Sequence, residues 1–288
     1  MVSCMTADRT ALVLGGGGIT GIAWEIGMLA GLAETGVDLT SADVVVGTSA
    51  GSVVGAQILS GVSLEDLYAE QLKDPTGEIA ARIGLGVIAR LIVASLWPGD
   101  ARRGRAWLGR AALASRTVPE ADRRRVIEDR LPKPSWPDRR LLITAVDTET
   151  GEARVFDRDC GVALVDAVAC SCAVPIVWPP MTVEGRRYMD GGMRSIVNAD
   201  LATGCERVVV LAPVTFAVRR SSRIAAQLAT LGPLTQSVVL SPDPQAREAI
   251  GRNVLDPARR GGSAQAGRRQ GATAAEAVAA IWNRVATA

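Results

Sequence analysis

Residues 43–51 read DVVVGTSAG, in which a strand pattern is followed by a turn that can present a reactive side chain. Asp43 to Val46 is a short β-branched run typical of a buried strand, and a helical pattern continues beyond the turn to Leu59. Between them, Gly47-Thr48-Ser49-Ala50-Gly51 is a G-x-S-x-G sequence. A sharp strand-to-helix turn strains its central residue and exposes the hydroxyl above the sheet edge. This context favours Ser49 as a nucleophile over an ordinary glycine-serine turn.

The same alternation of strands and helices extends along the chain. Apolar, β-rich runs predict five buried strands, over residues 11–14, 43–46, 140–146, 207–211 and 237–240. Helical spacing predicts helices over residues 22–34, 161–172 and 274–285, whereas the polar segment 257–273 is predicted to be a mobile loop or linker. Strands that alternate with helices imply an α/β fold, with a mostly parallel sheet covered on both faces.

The chain length of 288 residues suits one large α/β domain. The block from residue 63 to about 131 is helical and rich in Ala, Leu and Arg, and it is interpreted as an insertion beside the sheet. We therefore expect a single domain over residues 1–288, with the insertion at about 63–131 and a C-terminal loop and helix at about 257–288.

Charge and cysteine content bear on partners and compartment. The net charge is +2, from 32 basic and 30 acidic residues, which argues against nucleic acid as the main partner. Five cysteines form no CxxC pair, and their odd number favours a reducing compartment. The first nine residues have no apolar signal-peptide core. These features predict a cytoplasmic protein.

The chain contains no histidine, which excludes Ser-His-Asp triads and histidine-ligated metals. The base for Ser49 is therefore expected to be a carboxylate, because both lysines, Lys73 and Lys133, lie next to prolines or turns. Asp190 is followed by Gly191 and Gly192, which leave space around it, but its carboxylate is one of three candidates. The other two are Asp147 and Asp157, and any of the three could instead be an ordinary turn residue.

A glycine loop, residues 15–18, follows the first strand and opens the first helix. Its backbone N–H groups could bind the oxyanion formed when a serine attacks an ester. The spacing of Gly16, Gly18 and Gly21 also fits a dinucleotide-binding fingerprint, with Asp38 downstream. The second strand argues against a nucleotide, because it begins with its acidic residue and ends in the serine turn.

Four motifs together resemble those of the patatin-like phospholipases. They are GGGITG at 16–21, GTSAG at 47–51, SCAVP at 171–175 with WPP at 178–180, and DGG at 190–192. The resemblance covers roughly residues 10 to 215. It implies a three-layer α/β/α fold, a catalytic dyad of Ser49 and Asp190, and an oxyanion hole formed by Gly16, Gly17 and Gly18, with no metal or organic cofactor.

Two positions depart from the family pattern. Gly15 stands where the family usually has Asp, and Thr20 stands where it usually has a basic residue. A missing cation beside the glycine loop weakens the expected attraction to a phosphate head group. A neutral lipid or a small ester therefore fits at least as well as a phospholipid.

The expected function is hydrolysis of lipid carboxylic esters through an acyl-enzyme. The alternatives are a non-catalytic lipid-binding protein of the same fold and, third, a nucleotide-dependent enzyme. The apolar segment 79–97 has three interpretations. A buried helix is favoured over a lid that covers Ser49 and makes peripheral contact with a membrane, and a spanning helix is disfavoured because Arg90 would lie near the bilayer centre.

Overall fold

The computed structural model describes residues 9–74 and 81–283. Their centre is one eight-stranded sheet. The strands are β1 (Thr10–Leu14), β2 (Val44–Gly47), β3 (Arg140–Asp147), β4 (Ala153–Phe156), β5 (Met181–Val183), β6 (Arg186–Asp190), β7 (Arg207–Leu211) and β8 (Gln236–Leu240). All five predicted strands are present, and β4, β5 and β6 are additional.

The strand order is β5-β6-β3-β2-β1-β7-β8, with β4 also paired to β3. The pairings from β3 through β2, β1 and β7 to β8 are parallel, while those that involve β4, β5 and β6 are antiparallel. This confirms the predicted mostly parallel sheet. Leu14 at the end of β1 lies in register with Gly47 at the end of β2, so the glycine loop and the serine turn leave the sheet side by side.

Ten helices are found in the described residues. They are α1 (Gly18–Glu34), α2 (Ala50–Ile58), α3 (Leu64–Leu72), α4 (Leu85–Ser95), α5 (Ala101–Leu113), α6 (Glu120–Glu128), α7 (Leu164–Ser171), α8 (Ile224–Leu228), α9 (Pro244–Ile250) and α10 (Arg260–Trp282). Four of them, α3 to α6, lie between α2 and β3. The alternation of helices with strands confirms the predicted α/β class.

The two faces of the sheet are covered unequally. On one face, α1, α2, α7 and α10 enclose the larger core, which includes Trp24, Met28 and Phe156. On the other face, a smaller core around Val13 and Val46 is closed by the irregular segment 196–205 and by α8. The molecule is thus a three-layer α/β/α structure whose second outer layer is thin.

The predicted loop at 257–273 is wrong. A single 3₁₀ turn at Pro257–Arg259 leads directly into α10, which runs to Trp282. Its glycines suggested a loop, but they serve close packing of α10 on α1. A Cβ atom added at Gly267 would overlap the carbonyl oxygen of Trp24, and one at Gly271 would overlap that of Met28. Glycine here lets two helix backbones approach each other.

Strand β8 was predicted to be buried, which is also wrong. It pairs only with β7 and forms an edge of the sheet. Its residues alternate between exposed and half-buried, and Val239 is 39% exposed. The β-branched run therefore predicts the strand correctly but does not predict how much of it is buried.

Parts of several sequence predictions fall outside the described residues. They include residues 75–80 of the predicted insertion, the beginning of the apolar segment 79–97 and the end of the closing helix predicted at 274–285. Cys4 lies wholly outside them. The four described cysteines, Cys160, Cys170, Cys172 and Cys205, are all free thiols.

Candidate active site

Ser49 is held in a strained backbone conformation between β2 and α2. Its φ is 52° and its ψ is −113°, in a region that L-residues rarely adopt. Glycine is required on both sides of Ser49 because a larger residue would not fit. A Cβ atom at Gly47 would lie 2.6 Å from the Cα of Ser52, and one at Gly51 would overlap the carbonyl oxygen of Leu14. The G-x-S-x-G pattern therefore has a direct steric cause here.

Three buried side chains fix the peptide groups of Ser49. Its N–H donates to the Oγ of Ser171 at 2.9 Å. Its carbonyl oxygen accepts hydrogen bonds from the Oγ of Ser52 at 2.6 Å and the Sγ of Cys172 at 3.3 Å. Ser171 and Cys172 belong to the SCAVP motif of the family resemblance. The sequence alone indicates no role for either residue, nor for Ser52.

Asp190 is the last residue of β6, beside β3. Its N–H donates to the carbonyl oxygen of Ala173 at 2.9 Å, and it pairs with Ala145 across the strands. A Cβ atom at Gly191 would overlap the side chain and backbone of Thr144. The glycine after Asp190 is thus needed for the close approach of this turn to β3.

The structure places the Ser49 hydroxyl beside the buried carboxylate of Asp190, where it stabilises the charged form of that carboxylate. The N–H of Gly192 donates a hydrogen bond to Oδ1 of this carboxylate, at 2.7 Å. Burial raises the pKa of Asp190 from its ordinary 3.8 to about 6, although the bonds from Ser49 and Gly192 and the charge of Arg123 oppose this rise. A carboxylate with this pKa accepts a proton more readily than an exposed one.

The two competing carboxylates are turn residues. Oδ1 of Asp147 accepts the N–H groups of Glu149 and Thr150, and Oδ2 forms a salt bridge with Arg186. Oδ1 of Asp157 accepts the N–H of Asp159 at 3.1 Å. Asp190, not Asp147 or Asp157, is therefore the carboxylate in contact with Ser49.

The glycine loop offers fewer free donors than the sequence predicted. The N–H of Gly16 donates to the carbonyl oxygen of Ile196 at 2.7 Å, so this part of the predicted oxyanion hole is corrected. In the described part of the chain, no acceptor receives the N–H of Gly17 or of Gly18, which begin α1. A side chain at Gly17 would meet Pro213 at 2.6 Å, so the loop is closely packed as well as open to a ligand.

Asn198 links the two halves of the site and was missed by sequence reasoning. It is buried, in the left-handed conformation with a φ of 53°. Its Nδ2 lies 3.0 Å from the hydroxyl of Thr48 and 3.4 Å from the carbonyl oxygen of Gly191. Its Oδ1 accepts a hydrogen bond from Arg194 at 2.6 Å, which fixes the orientation of the amide. An isolated Asn between Val197 and Ala199 gives no such signal in the sequence.

A cavity of about 670 Å³ adjoins Asp190. Its lining includes Asp190, Gly17 and Gly18 but not Ser49, which is 8% exposed. Helix α4 supplies an apolar wall that includes Ile88, Leu91 and Ile92. The favoured prediction of a buried helix in segment 79–97 is wrong for α4, because Ala94 is its only buried residue. A cavity of this size, mostly apolar and in contact with a buried carboxylate, can receive an acyl chain.

The positions of Asp38 and Asp43, the acidic residues that would bind the ribose of a dinucleotide, do not support the dinucleotide interpretation. Asp43 lies at the start of β2, where its Oδ2 accepts the N–H of Thr10 at 2.8 Å. Oδ1 of Asp38 accepts the N–H of Thr40 at 2.9 Å. Both lie at the end of the strands opposite to the glycine loop, so neither can bind a ribose placed there.

Comparison with known proteins identifies the family. Residues 12–203, more than half of the chain, match the model of the patatin-like phospholipases. VipD from Legionella pneumophila is a matching solved structure, with 14% identity, a TM-score of 0.46, and alignment over 94% of this chain and 67% of that one. The type III effector ExoU has 16% identity, a TM-score of 0.40, and corresponding coverages of 94% and 53%, so this chain spans about half of its length. No curated protein matches the chain. On the family match, the chain belongs to the patatin-like phospholipases.

Proposed function

We propose that the protein is a lipid acyl hydrolase that cleaves carboxylic esters through a Ser49 acyl-enzyme, with Asp190 as the base. The observation that carries this proposal is the position of the Ser49 hydroxyl beside the buried Asp190 carboxylate, whose charged form it stabilises. The strained turn at Ser49 and the free N–H groups of Gly17 and Gly18 support it.

In the first half of the reaction, Asp190 takes the proton of the Ser49 hydroxyl while Oγ attacks the ester carbonyl carbon. The electron pair of the carbonyl bond moves to its oxygen, and the N–H groups of Gly17 and Gly18 stabilise the resulting anion. The intermediate collapses, the bond to the alcohol oxygen breaks, and Asp190 returns the proton to the leaving alkoxide.

In the second half, water replaces the alcohol. Asp190 takes a proton from the water, the hydroxide oxygen attacks the acyl carbon, and a second tetrahedral anion forms at the same donors. Its collapse breaks the bond to Ser49 Oγ, which regains the proton from Asp190, and the carboxylic acid leaves. One carboxylate serves both as base and as acid, so no histidine is needed.

The elevated pKa of Asp190 is what makes a carboxylate adequate for this task. An Asp with an ordinary pKa is too weak a base to share the proton of an alcohol, and burial brings the pKa of Asp190 closer to neutrality. The carboxylate remains mostly ionised at neutral pH, since about 6 is still below 7. Asp190 is thus both available and more basic than an exposed Asp.

We further propose that α4 is a lid that contacts a lipid surface. Its inner side lines the cavity, while Leu85 and Leu96 on its ends are 86% and 64% exposed. Among the helices of residues 9–74 and 81–283, none has the length and apolar character needed to cross a bilayer. Peripheral contact is therefore the proposed mode, and α4 would belong to an insertion, about 63–131, of a single domain.

The decisive test is labelling with an alkyl fluorophosphonate followed by peptide mapping. Wild-type protein should be labelled at Ser49, and Ser49→Ala should abolish both labelling and hydrolysis of p-nitrophenyl esters with an unchanged circular dichroism spectrum. Ser95→Ala is the matched control, because Ser95 lines the cavity beside Asp190 but donates its hydroxyl to the carbonyl oxygen of Leu91 at 2.8 Å. Folded wild-type protein that neither reacts nor hydrolyses would favour the non-catalytic lipid-binding alternative.

A further inference from the structure

The cavity beside Asp190 is far more basic than the chain as a whole. The chain has 32 basic and 30 acidic residues. Among the described residues that line the cavity, Asp190 is the only carboxylate. The basic residues of the lining are Arg82, Arg105, Arg194, Arg219 and Arg252. An excess of guanidinium groups around an otherwise apolar space favours an anionic ligand.

Arg105 is half-buried and has no salt bridge to a carboxylate of the described residues. It lies on the face of α5 that also brings Ala101 and Leu108 to the cavity. Its Nε donates to the neutral carbonyl of Gly151 at 2.6 Å. Burial lowers the pKa of Arg105, and the charge of Arg194 lowers it further, while the charge of Asp100 opposes this shift without cancelling it.

Arg194 and Arg219 flank Arg105 from two other segments. Arg194 follows directly after the turn that Asp190 begins, and its N–H donates to the carbonyl of Gly191 at 3.0 Å. Asp200 pairs with Arg194 and compensates its charge. Arg219 donates to the backbone carbonyl of Trp97 at 2.6 Å, a neutral partner that holds the side chain without cancelling its charge.

These arginines bear on Thr20, which stands where the family usually has a basic residue. Thr20 is fully buried, and its hydroxyl and N–H both donate to the carbonyl of Val254 at 3.2 Å. A long cationic side chain at that position would have to displace this contact. The positive charge near the dyad comes instead from α5 and from the segments around Arg194 and Arg219.

We propose that Arg105, together with Arg219, forms an anion-binding subsite that selects esters carrying a second, acidic group. A guanidinium group binds a carboxylate or a phosphate through paired hydrogen bonds, and either group can be attached to an ester substrate. The subsite is separate from the N–H groups of Gly17 and Gly18, which are assigned to the reacting carbonyl. This inference rests on the proposed ester hydrolysis and specifies its substrate class.

The test compares kcat/KM for matched pairs that differ in one charge. One pair is the p-nitrophenyl monoester of a long dicarboxylic acid and its ω-methyl ester. The other is a monoacylglycerol phosphate and the corresponding monoacylglycerol. Wild-type protein should prefer the anionic member of at least one pair by about 10- to 100-fold, the range expected for a charge-assisted hydrogen bond. The pair that shows the preference distinguishes carboxylate from phosphate.

Arg105→Gln should reduce the preference to near unity while hydrolysis of the neutral esters persists. Arg103→Gln, on the same helix but exposed and away from the cavity, should keep the wild-type preference. Equal turnover within both pairs by wild-type protein overturns the inference, as does a preference that survives in Arg105→Gln. If Arg105→Gln does not fold, Arg219→Gln takes its place.

Binding separates this inference from the proposed chemistry. Calorimetry on Ser49→Ala protein should show that monoacylglycerol phosphate, or the dicarboxylic monoester, binds at least about tenfold more weakly when Arg105→Gln is added. That result supports the subsite even if hydrolysis is never observed. Turnover of the neutral esters without any charge preference supports the proposed function and refutes the subsite.

Discussion

The side-chain amide of Asn198 lies 3.0 Å from the hydroxyl of Thr48, the residue before Ser49. The same amide approaches the carbonyl oxygen of Gly191, the residue after Asp190. One buried side chain therefore connects the loops that carry the proposed nucleophile and base. It maintains the distance between them without touching either reacting atom.

Replacement of Asn198 by Ala should lower both stability and turnover. The loss of buried hydrogen bonds should reduce the free energy of unfolding by about 1–3 kcal/mol. Small shifts of the two loops should lower kcat by on the order of tenfold or more, with less effect on KM. Urea unfolding and ester kinetics measure the two effects. Asn253→Ala is the control, since Asn253 lines the cavity but donates to the carbonyl of Ala81; equal kcat in both variants would refute the linking role.

Activity should depend on the ionisation of Asp190. The base must be deprotonated, so kcat/KM should fall as the pH decreases through about 6. The log of kcat/KM should lose about one unit per pH unit below that value. Asp190→Asn should be inactive at every pH. A profile that stays flat down to pH 4 in wild-type protein would contradict the assignment.

The ionisation of Asp190 should also affect the stability of the fold, which should decrease as the pH rises, whereas activity should increase. Because the pKa of Asp190 is higher in the folded protein than its ordinary 3.8, its carboxyl stabilises the fold most below about pH 4, and this contribution decreases as the pH rises through about 6. Relative to Asp190→Asn, wild-type protein should therefore lose stability between pH 4 and pH 8. Thermal unfolding of both proteins across this range measures the difference.

Close packing of α10 on α1 predicts opposite effects for two glycines of one helix. Gly267→Ala would force a methyl group onto the carbonyl of Trp24 and should destabilise the protein by about 1–3 kcal/mol. Gly262 has open space around it, so Gly262→Ala should be neutral or stabilising by about 0.5 kcal/mol. Chemical denaturation that ranks the two variants in the reverse order would contradict this packing.

The proposed lid predicts loss of membrane contact when its exposed ends become charged. Leu85→Asp/Leu96→Asp should float less with anionic liposomes while the circular dichroism spectrum stays unchanged, because neither side chain is buried. Leu234→Asp is the matched control, since Leu234 is 85% exposed but lies outside α4 and the cavity. Wild-type protein that never floats, or equal losses in both variants, would rule out α4 as the contact.

Features with a local cause could be predicted from the sequence. The strands at 11–14 and 43–46 and the turn around Ser49 follow from apolar patterns and from the small space available at Gly47 and Gly51. The choice of Asp190 over Asp147 depended on the family resemblance, because sequence spacing alone does not reveal which carboxylate faces the serine.

Features that depend on distant contacts were missed. Asn198 acts through Thr48 and Gly191, which lie elsewhere in the chain, and the engaged N–H of Gly16 depends on Ile196. The glycines of α10 resembled those of a loop because their partners belong to a helix near the other end of the chain. Such pairings are set by tertiary structure, which local patterns do not encode.

The contact between α10 and α1 also constrains the order in which the protein can assemble. Residues 35–259 are synthesised after α1 and before α10, so the face of α1 that meets Gly267 and Gly271 stays without its partner until α10 has been synthesised. Contacts of such long range form late and slowly. Because α1 begins at the glycine loop, that loop should gain its final support only after α10 has left the ribosome.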